Sequence, residues 1–558
     1  ALAANTTANY NTAIGDSAMT DNTTGLSNTA VGALALVKNT TGKENVAVGA
    51  GALYFNTTAS YNSSVGYQSL LFNTTGHSNT AMGYQSLSSN TTGGSNTAMG
   101  HQSLLFNTTG GYNMASGVYA LVYNTTGSNN TASGYKSLTS NTTGSNNIAM
   151  GSNALAANTT ANYNTAIGDS AMVDNTIGYS NTASGYQSLA SNTTGYRNTA
   201  MGSQALLSNT QGNLNTALGF AALGDNTTGG RNTATGYKAL LYNTTGSQNT
   251  ASGFYSLLSN TTGDYNTASG YMALRNNTTG TNNNAFGHAA LYSNTTGYSN
   301  SAVGNGSLAE NTTGNNNSAF GVNSLPLNTT GGMNSAFGET SLKSNTTGEH
   351  NTAVGTTSLE SNTVGGYNTA IGVGSLSGNT TGSSNTAIGK EALNANTTGD
   401  DNVAVGRDAL TTNTTASYNT AVGKEALRFN TTGSRNLAIG YAAGDVITTG
   451  SNNVIIGHDS DPSNDSGTNQ IVIGKGATGQ GNNYAVIGNS DITRLYAASD
   501  GAGVLYANGT IQSSDRRVKK SINSLAYGLS FIMKLRPVSY YKLHPRNYPQ
   551  ELKDKFYP

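Results

Sequence analysis

The chain has 558 residues, with 25 Lys and Arg against 25 Asp and Glu, no cysteine and no tryptophan; 35% of it is hydrophobic and 9% charged. The absence of cysteine excludes a disulfide framework and thiolate metal sites, and no run approaches the roughly 20 apolar residues of a membrane helix. So little apolar material is poorly suited to several globular cores, yet disordered chains usually carry net charge and irregular sequence, and this one is neutral and strictly periodic.

The period is set by the glycine of N-T-A-x-G. It recurs every 17 residues from Gly15, Gly32 and Gly49 to Gly474, without an insertion, and a second asparagine keeps the same step from Asn5 and Asn22 to Asn430. One unit reads N-T-A-x-G-x-x-(A/S)-L-x-x-N-T-T-G-x-x, numbered here as positions 1 to 17. The opening falls inside a unit and points to a processed or partial N-terminus. Residues 1–19 recur identically as 154–172, which reads as duplication of a block.

Helical repeats need 33 or more residues, and one or two glycines per unit with a polar β-branched run disfavour helix. Seventeen residues suit one coil of a parallel β-solenoid with two or more short strands. The position 5 glycine fits a corner with φ > 0 or close backbone approach. N-T-T-G fits a second corner in which Asn and Gly adopt left-handed conformations. From Met19, Leu36 and Leu53 to Leu427 position 9 is Leu or Met, position 8 is Ala or Ser, and position 3 is almost always Ala. Positions 3 and 4 lie on opposite strand faces; one lines the coil and the other meets a neighbouring chain, in an order the pattern leaves open. A single coil with one Leu and a few small residues per rung is marginal, so self-association is expected.

Several features are candidates for chemistry or binding. The N-T-T triplets are sequons, but Asn175, Asn209 and Asn362 persist where N-T-I, N-T-Q and N-T-V abolish the sequon, which favours a stacked asparagine ladder. The threonine rows are also compatible with an ice-binding face. Tyrosines gather at position 6 (Tyr67, Tyr84, Tyr135, Tyr186) and offer a surface for stacking on glycans. Asp459, Asp461 and Asp465 cluster in "HDSDPSND" without the EF-hand order, so they are weak calcium candidates. No phosphate loop, catalytic triad or nucleic-acid motif appears, and no cofactor is expected.

Residues 1–457 read as a regular shaft, 458–490 as irregular terminal rungs, 491–513 as a neck and 514–558 as a different domain. That last part holds 10 of the Lys and Arg residues beside helically spaced Ile522, Leu525, Leu529, Ile532 and Leu535.

"NTAIG", "NVAVG" and "NLAIG" resemble the head repeats of YadA-type trimeric autotransporter adhesins, over roughly residues 1–490. The resemblance implies a left-handed parallel β-roll that forms homotrimers. "SSDRRVKKSI…L…LRPVSYY" is similar to the start of the intramolecular chaperone domain of phage endosialidases and tail spikes, from about residue 505. That family trimerises its fibre and then cuts itself free with a Ser-Lys dyad. The matching S-D-x-R-x-K motif implies Ser514 as nucleophile and Lys519 as base. Together these readings predict an all-β solenoid fibre with a small α+β segment at its end. It would be extracellular or at a cell surface, acting as an adhesin or filament with an unidentified receptor or glycan as partner. A bacteriophage tail fibre is the alternative, and an ice-binding or glycosylated coat filament a more remote one.

Overall fold

A computed structural model describes residues 2–495. They contain 29 strands of three residues each, from β1 (Thr12–Ile14) to β28 (Ile471–Ile473) and β29 (Ala485–Ile487), and no helix among the described residues. Every strand is parallel to the next and in register with the residue 17 positions on, as in Thr12↔Thr29 and Ala13↔Ala30. The last step, from β28 to β29, takes 14 residues. This is the expected parallel β-solenoid, with one correction. Each rung has a single regular strand, at positions 2–4, and the rest of the coil is a chain of turns.

Those turns are nevertheless hydrogen-bonded from rung to rung. The position 7 N–H donates to the carbonyl of position 6 in the preceding rung (Leu34 to Asp16, 2.9 Å), while the position 9 N–H donates to position 8 of the following one (Leu36 to Ala52, 2.9 Å). Around most of the coil, backbone groups thus find partners one rung away, which is what a buried polar backbone requires.

The corners differ from the sequence expectation. The position 5 glycines have φ between +128° and +147°, a region closed to other residues. By contrast, neither Asn nor Gly of N-T-T-G is left-handed. The left-handed residues are instead the non-glycines at positions 7, 9 and 17, for example Lys238, Leu240 and Gln248 at φ +52°, +55° and +59°. The position 9 Leu and Met residues hold φ of +50° to +56°. A β-branched side chain is far less tolerant of that conformation, which accounts for a core position that admits Leu and Met but neither Ile nor Val. Position 15 is crowded but not closed: a Cβ on Gly25 would meet the Gly42 carbonyl and the Asn22 side chain, and the coil accommodates one at Ala59, Ala161 and Ala416.

The interior is settled by burial. Position 3 Ala from Ala30 on and position 9 Leu from Leu36 on are fully buried from rung to rung, and position 4 faces out. Position 8 stays Ala or Ser because it too is enclosed; where it is Ser, the hydroxyl donates to the position 5 carbonyl, as from Ser103 to Gly100 at 3.1 Å. Burying each Leu contributes about 1.5–3 kcal/mol. The rest of the interior is polar, made of two columns of fully buried asparagines at positions 1 and 12.

At position 12, each amide from Asn39 to Asn430 donates to the side-chain oxygen of the preceding rung (Asn39 to Asn22, 2.7 Å) and to the position 15 carbonyl of its own rung (Asn39 to Gly42, 3.0 Å). At position 1, the side-chain oxygen accepts the backbone N–H of the next rung's asparagine (Asn28 to Asn11, 2.8 Å), and the amide donates to the same position 15 carbonyl (Asn28 to Gly42, 2.9 Å). That carbonyl therefore closes each coil from both sides. A fully satisfied network of this kind specifies register where a thin apolar core would not.

Near the C-terminal end of the solenoid the interior changes. Ile447 takes position 12 and is fully buried, Gly444 takes position 9, and Gln470 replaces the position 1 asparagine. The Asn430 side-chain oxygen consequently lacks a donor, because the residue one rung on, Ile447, has none to give.

Candidate functional site

With glycines, asparagines and leucines committed to the coil, chemistry and recognition are left to the outward positions. Gly15, Gly32 and Gly49 sit at strand ends, where an added Cβ would strike the next rung's backbone. Asn22 and its equivalents are wholly buried, and Asn5 begins their column with its amide donating to the Ala8 carbonyl at 3.1 Å. Leu36 and Leu53 are core. Because the sequon asparagines from Asn22 to Asn430 are inaccessible in the folded coil, the ladder reading of N-T-T stands over the glycan-acceptor reading. Their position 13 threonines also stay bonded, with Thr40 donating its hydroxyl to the Thr57 carbonyl at 3.1 Å.

The position 6 tyrosines form part of a larger aromatic ridge. Tyr67 stacks on Tyr84, with centroids 5.4 Å apart, and Tyr84 on His101 at 5.1 Å. A longer run joins Phe220, Tyr237, Phe254, Tyr271 and His288, ring on ring at 5.1–5.5 Å. Reading position 6 for tyrosine alone overlooks the Phe and His members, although the 17-residue register places them in the same column. Ring faces inside these runs are turned to one another, leaving edges and hydroxyls outward. Tyr135 instead carries Lys136 over its ring at 5.2 Å, and Tyr186 is exposed. A second column, at position 11, stacks Phe106 on Tyr123 at 5.6 Å and walls a shallow trough of ≈ 660 Å³ floored by Thr108, Thr125 and Thr142.

Asp459, Asp461 and Asp465 do not converge on one point, and no group of three or more His, Cys, Asp or Glu among the described residues is placed to hold a metal ion. Asp459 is exposed and pairs with His458 at 2.9 Å. Asp465 is exposed, with its backbone carbonyl accepting from Thr448 at 2.9 Å. Asp461 stands at position 9, the place of the core Leu in earlier rungs. Burial first, and the neighbouring Asp445 second, push its carboxyl up to about 6, while a hydrogen bond from the Val446 backbone opposes the shift.

The consequence for pH has a definite sign. The folded state keeps this proton where an unfolded aspartate has lost it, so stability of the terminal rungs falls as pH rises from about 4 to about 6 and stays lower above. Asp445, also raised by burial, acts in the same direction. Amide exchange at Ile455 and Val472, corrected for intrinsic rates, should show stronger protection at pH 4 than at pH 7. Asp461→Asn should remove most of that difference; an unchanged pH profile in the variant would locate the effect elsewhere.

Ser514 and Lys519 lie outside the described residues, as do the helically spaced residues from Ile522 onward. Among the described residues, no helix is long and apolar enough to cross a membrane. The geometry defines a class, a repetitive parallel β-solenoid rod with a polar-laddered interior and columns of identical positions on its surface. No protein-family model matches the chain, and no curated protein is significantly similar to it.

Proposed function

We propose that this chain is the shaft of an extracellular structural fibre that assembles with copies of itself. The observation that carries the reading is the unbroken stacking of 17-residue rungs over the whole of Thr12–Ile473, with the buried asparagine columns running along it as far as Asn430 and Asn453. Such an object spans distance: 28 rungs at about 4.8 Å make roughly 130 Å of rod. Each rung contacts only its neighbours, so length changes by adding or copying rungs, and the identical blocks 1–19 and 154–172 fit that economy. The outward columns then give the shaft adhesive or assembly surfaces without altering its interior.

The resemblance at the C-terminus adds a maturation step to this reading: self-cleavage beside Ser514, with Lys519 as the base, once the fibre has assembled. Immunogold labelling of intact source cells or particles with an antibody to the repeat is the test. Label along projecting filaments is the expected result, and label confined to the interior of permeabilised cells would contradict it. In the same preparations the mature chain should end near Ser514, and Ser514→Ala should keep the longer form.

A further inference from the structure

We infer that the self-association seam occupies one stretch of the solenoid, the outward strand face from Phe286 to Ile473, and that the partner covering it is a second copy of this chain. The inference rests on the fibre reading above and adds where the copies meet.

Position 4 points outward in every rung, yet its chemistry is uneven along the axis. From Phe286 to Ile473, twelve successive rungs place Phe, Val or Ile there, each in a strand paired in register with the next. Phe337 is 40% exposed and Ile388 38%, large apolar groups in direct line with their neighbours; Phe320 and Phe337 stack at 5.0 Å. In the middle of the rod the same column is interrupted by Ser116, Ser133, Ser184, Thr235, Ser252 and Ser269. A shorter apolar run, Ile14 to Met99, lies before those interruptions. Towards the end the face also widens, since position 2, outward as well, is apolar in four of five successive rungs (Val403, Leu437, Val454 and Ile471), against isolated rungs earlier (Val46, Met114 and Ile148).

Size distinguishes the two apolar runs. Twelve rungs at about 4.8 Å by a strand about 10 Å long give roughly 550 Å² per copy, or about 1,100 Å² for a pair. That clears the roughly 1,000 Å² expected of a specific interface, whereas the six rungs up to Met99 reach only about half of it. The edge of the face favours a copy over a charged partner. In three successive rungs near the middle of the run, positions 6 and 7, just beyond the strand, carry opposite signs in adjacent ion pairs: Lys390 with Glu391 at 3.1 Å, Arg407 with Asp408 at 3.3 Å and Lys424 with Glu425 at 3.1 Å. A mixed-sign edge beside an apolar face is complementary to a copy of itself in a way that a single-sign edge is not.

The test uses the full chain. Native mass measurement should give the wild type at a multiple of 56.9 kDa, and the outward double substitution Ile371→Lys with Ile388→Lys should reduce it to a single chain with an unchanged far-ultraviolet dichroism spectrum. The matched pair Met201→Lys with Leu218→Lys, in the interrupted stretch, should leave the multimer intact. As a second readout that does not depend on dissociation, Ile388→Cys in this cysteine-free chain should be joined to its copy by a short bismaleimide, and Met201→Cys should not. A multimer indifferent to the first pair and uncrosslinked at Ile388, or one disrupted equally by both pairs, overturns the placement of the seam. A wild-type chain that is a folded monomer overturns the assembly reading itself, and the seam with it.

Discussion

Gly236→Ala is expected to open the rod at one rung and to render it cleavable there. The native residue has φ +131°, and an added Cβ would lie 2.6 Å from the Gly253 carbonyl oxygen and 2.8 Å from its carbon. Both obstacles are backbone, held by the ladder on either side, so neither swings away as a side chain would. Strain at such a dihedral costs about 1–3 kcal/mol, and forced overpacking about as much again. The damage stays local because each rung is supported only by its neighbours. Trypsin reads it directly, since Arg231 and Lys238 flank the site in sequence: the variant should be cut there while the wild type resists. Gly246→Ala, one corner away, should be much milder, because the same position already holds buried Ala59, Ala161 and Ala416 in other rungs. Equal resistance of Gly236→Ala and wild type would remove the strained-corner account.

Asn226→Ala should be almost as damaging, though nothing apolar is lost. Its amide donates to the Asn209 side-chain oxygen at 2.7 Å and to the Gly229 carbonyl at 2.9 Å, and its own oxygen accepts from Asn243 at 2.8 Å. Gly229 keeps the donation from Asn215, at 2.9 Å, and Asn243 keeps the Gly246 carbonyl, also at 2.9 Å. Asn209 keeps no donor, and a buried acceptor without one costs about 1–3 kcal/mol, with the vacated volume adding to that. Hydrogen exchange around residues 209–243 should locate the loss. Because the two asparagines share one interaction, Asn209→Ala combined with Asn226→Ala should cost less than the sum of the singles. Strict additivity would mean that the column is not a coupled ladder.

The rung was legible in the sequence because a solenoid writes its geometry at a fixed spacing. The glycine column, the Ala and Leu columns and the paired asparagines all fell where the coil uses them. What was hidden depends on backbone conformation. Leu240 at φ +55° looks like any core leucine, and only the absence of Ile and Val from its column hinted at a left-handed site. The N-T-T-G corner misled because Asn and Gly favour left-handed turns on average, whereas Asn22 is held inward by its ladder and Gly25 takes an ordinary conformation in a crowded place that Ala59 also fills. The direction of position 4 could not be read from alternation alone, since a strand has two faces and position 3 Ala suits either. The aromatic ridge was half visible, because Phe254 and His288 continue a column that was read through its tyrosines.

Electron cryomicroscopy of the purified chain tests the central claim most directly. A continuous coil of 17-residue rungs predicts straight rods with an axial layer spacing of about 4.8 Å over roughly 130 Å, each layer as far as the rung of Asn430 carrying density for one position 9 side chain and two inward asparagines. Globular particles, or rods whose density follows helical hairpins with no 4.8 Å layering, would contradict it.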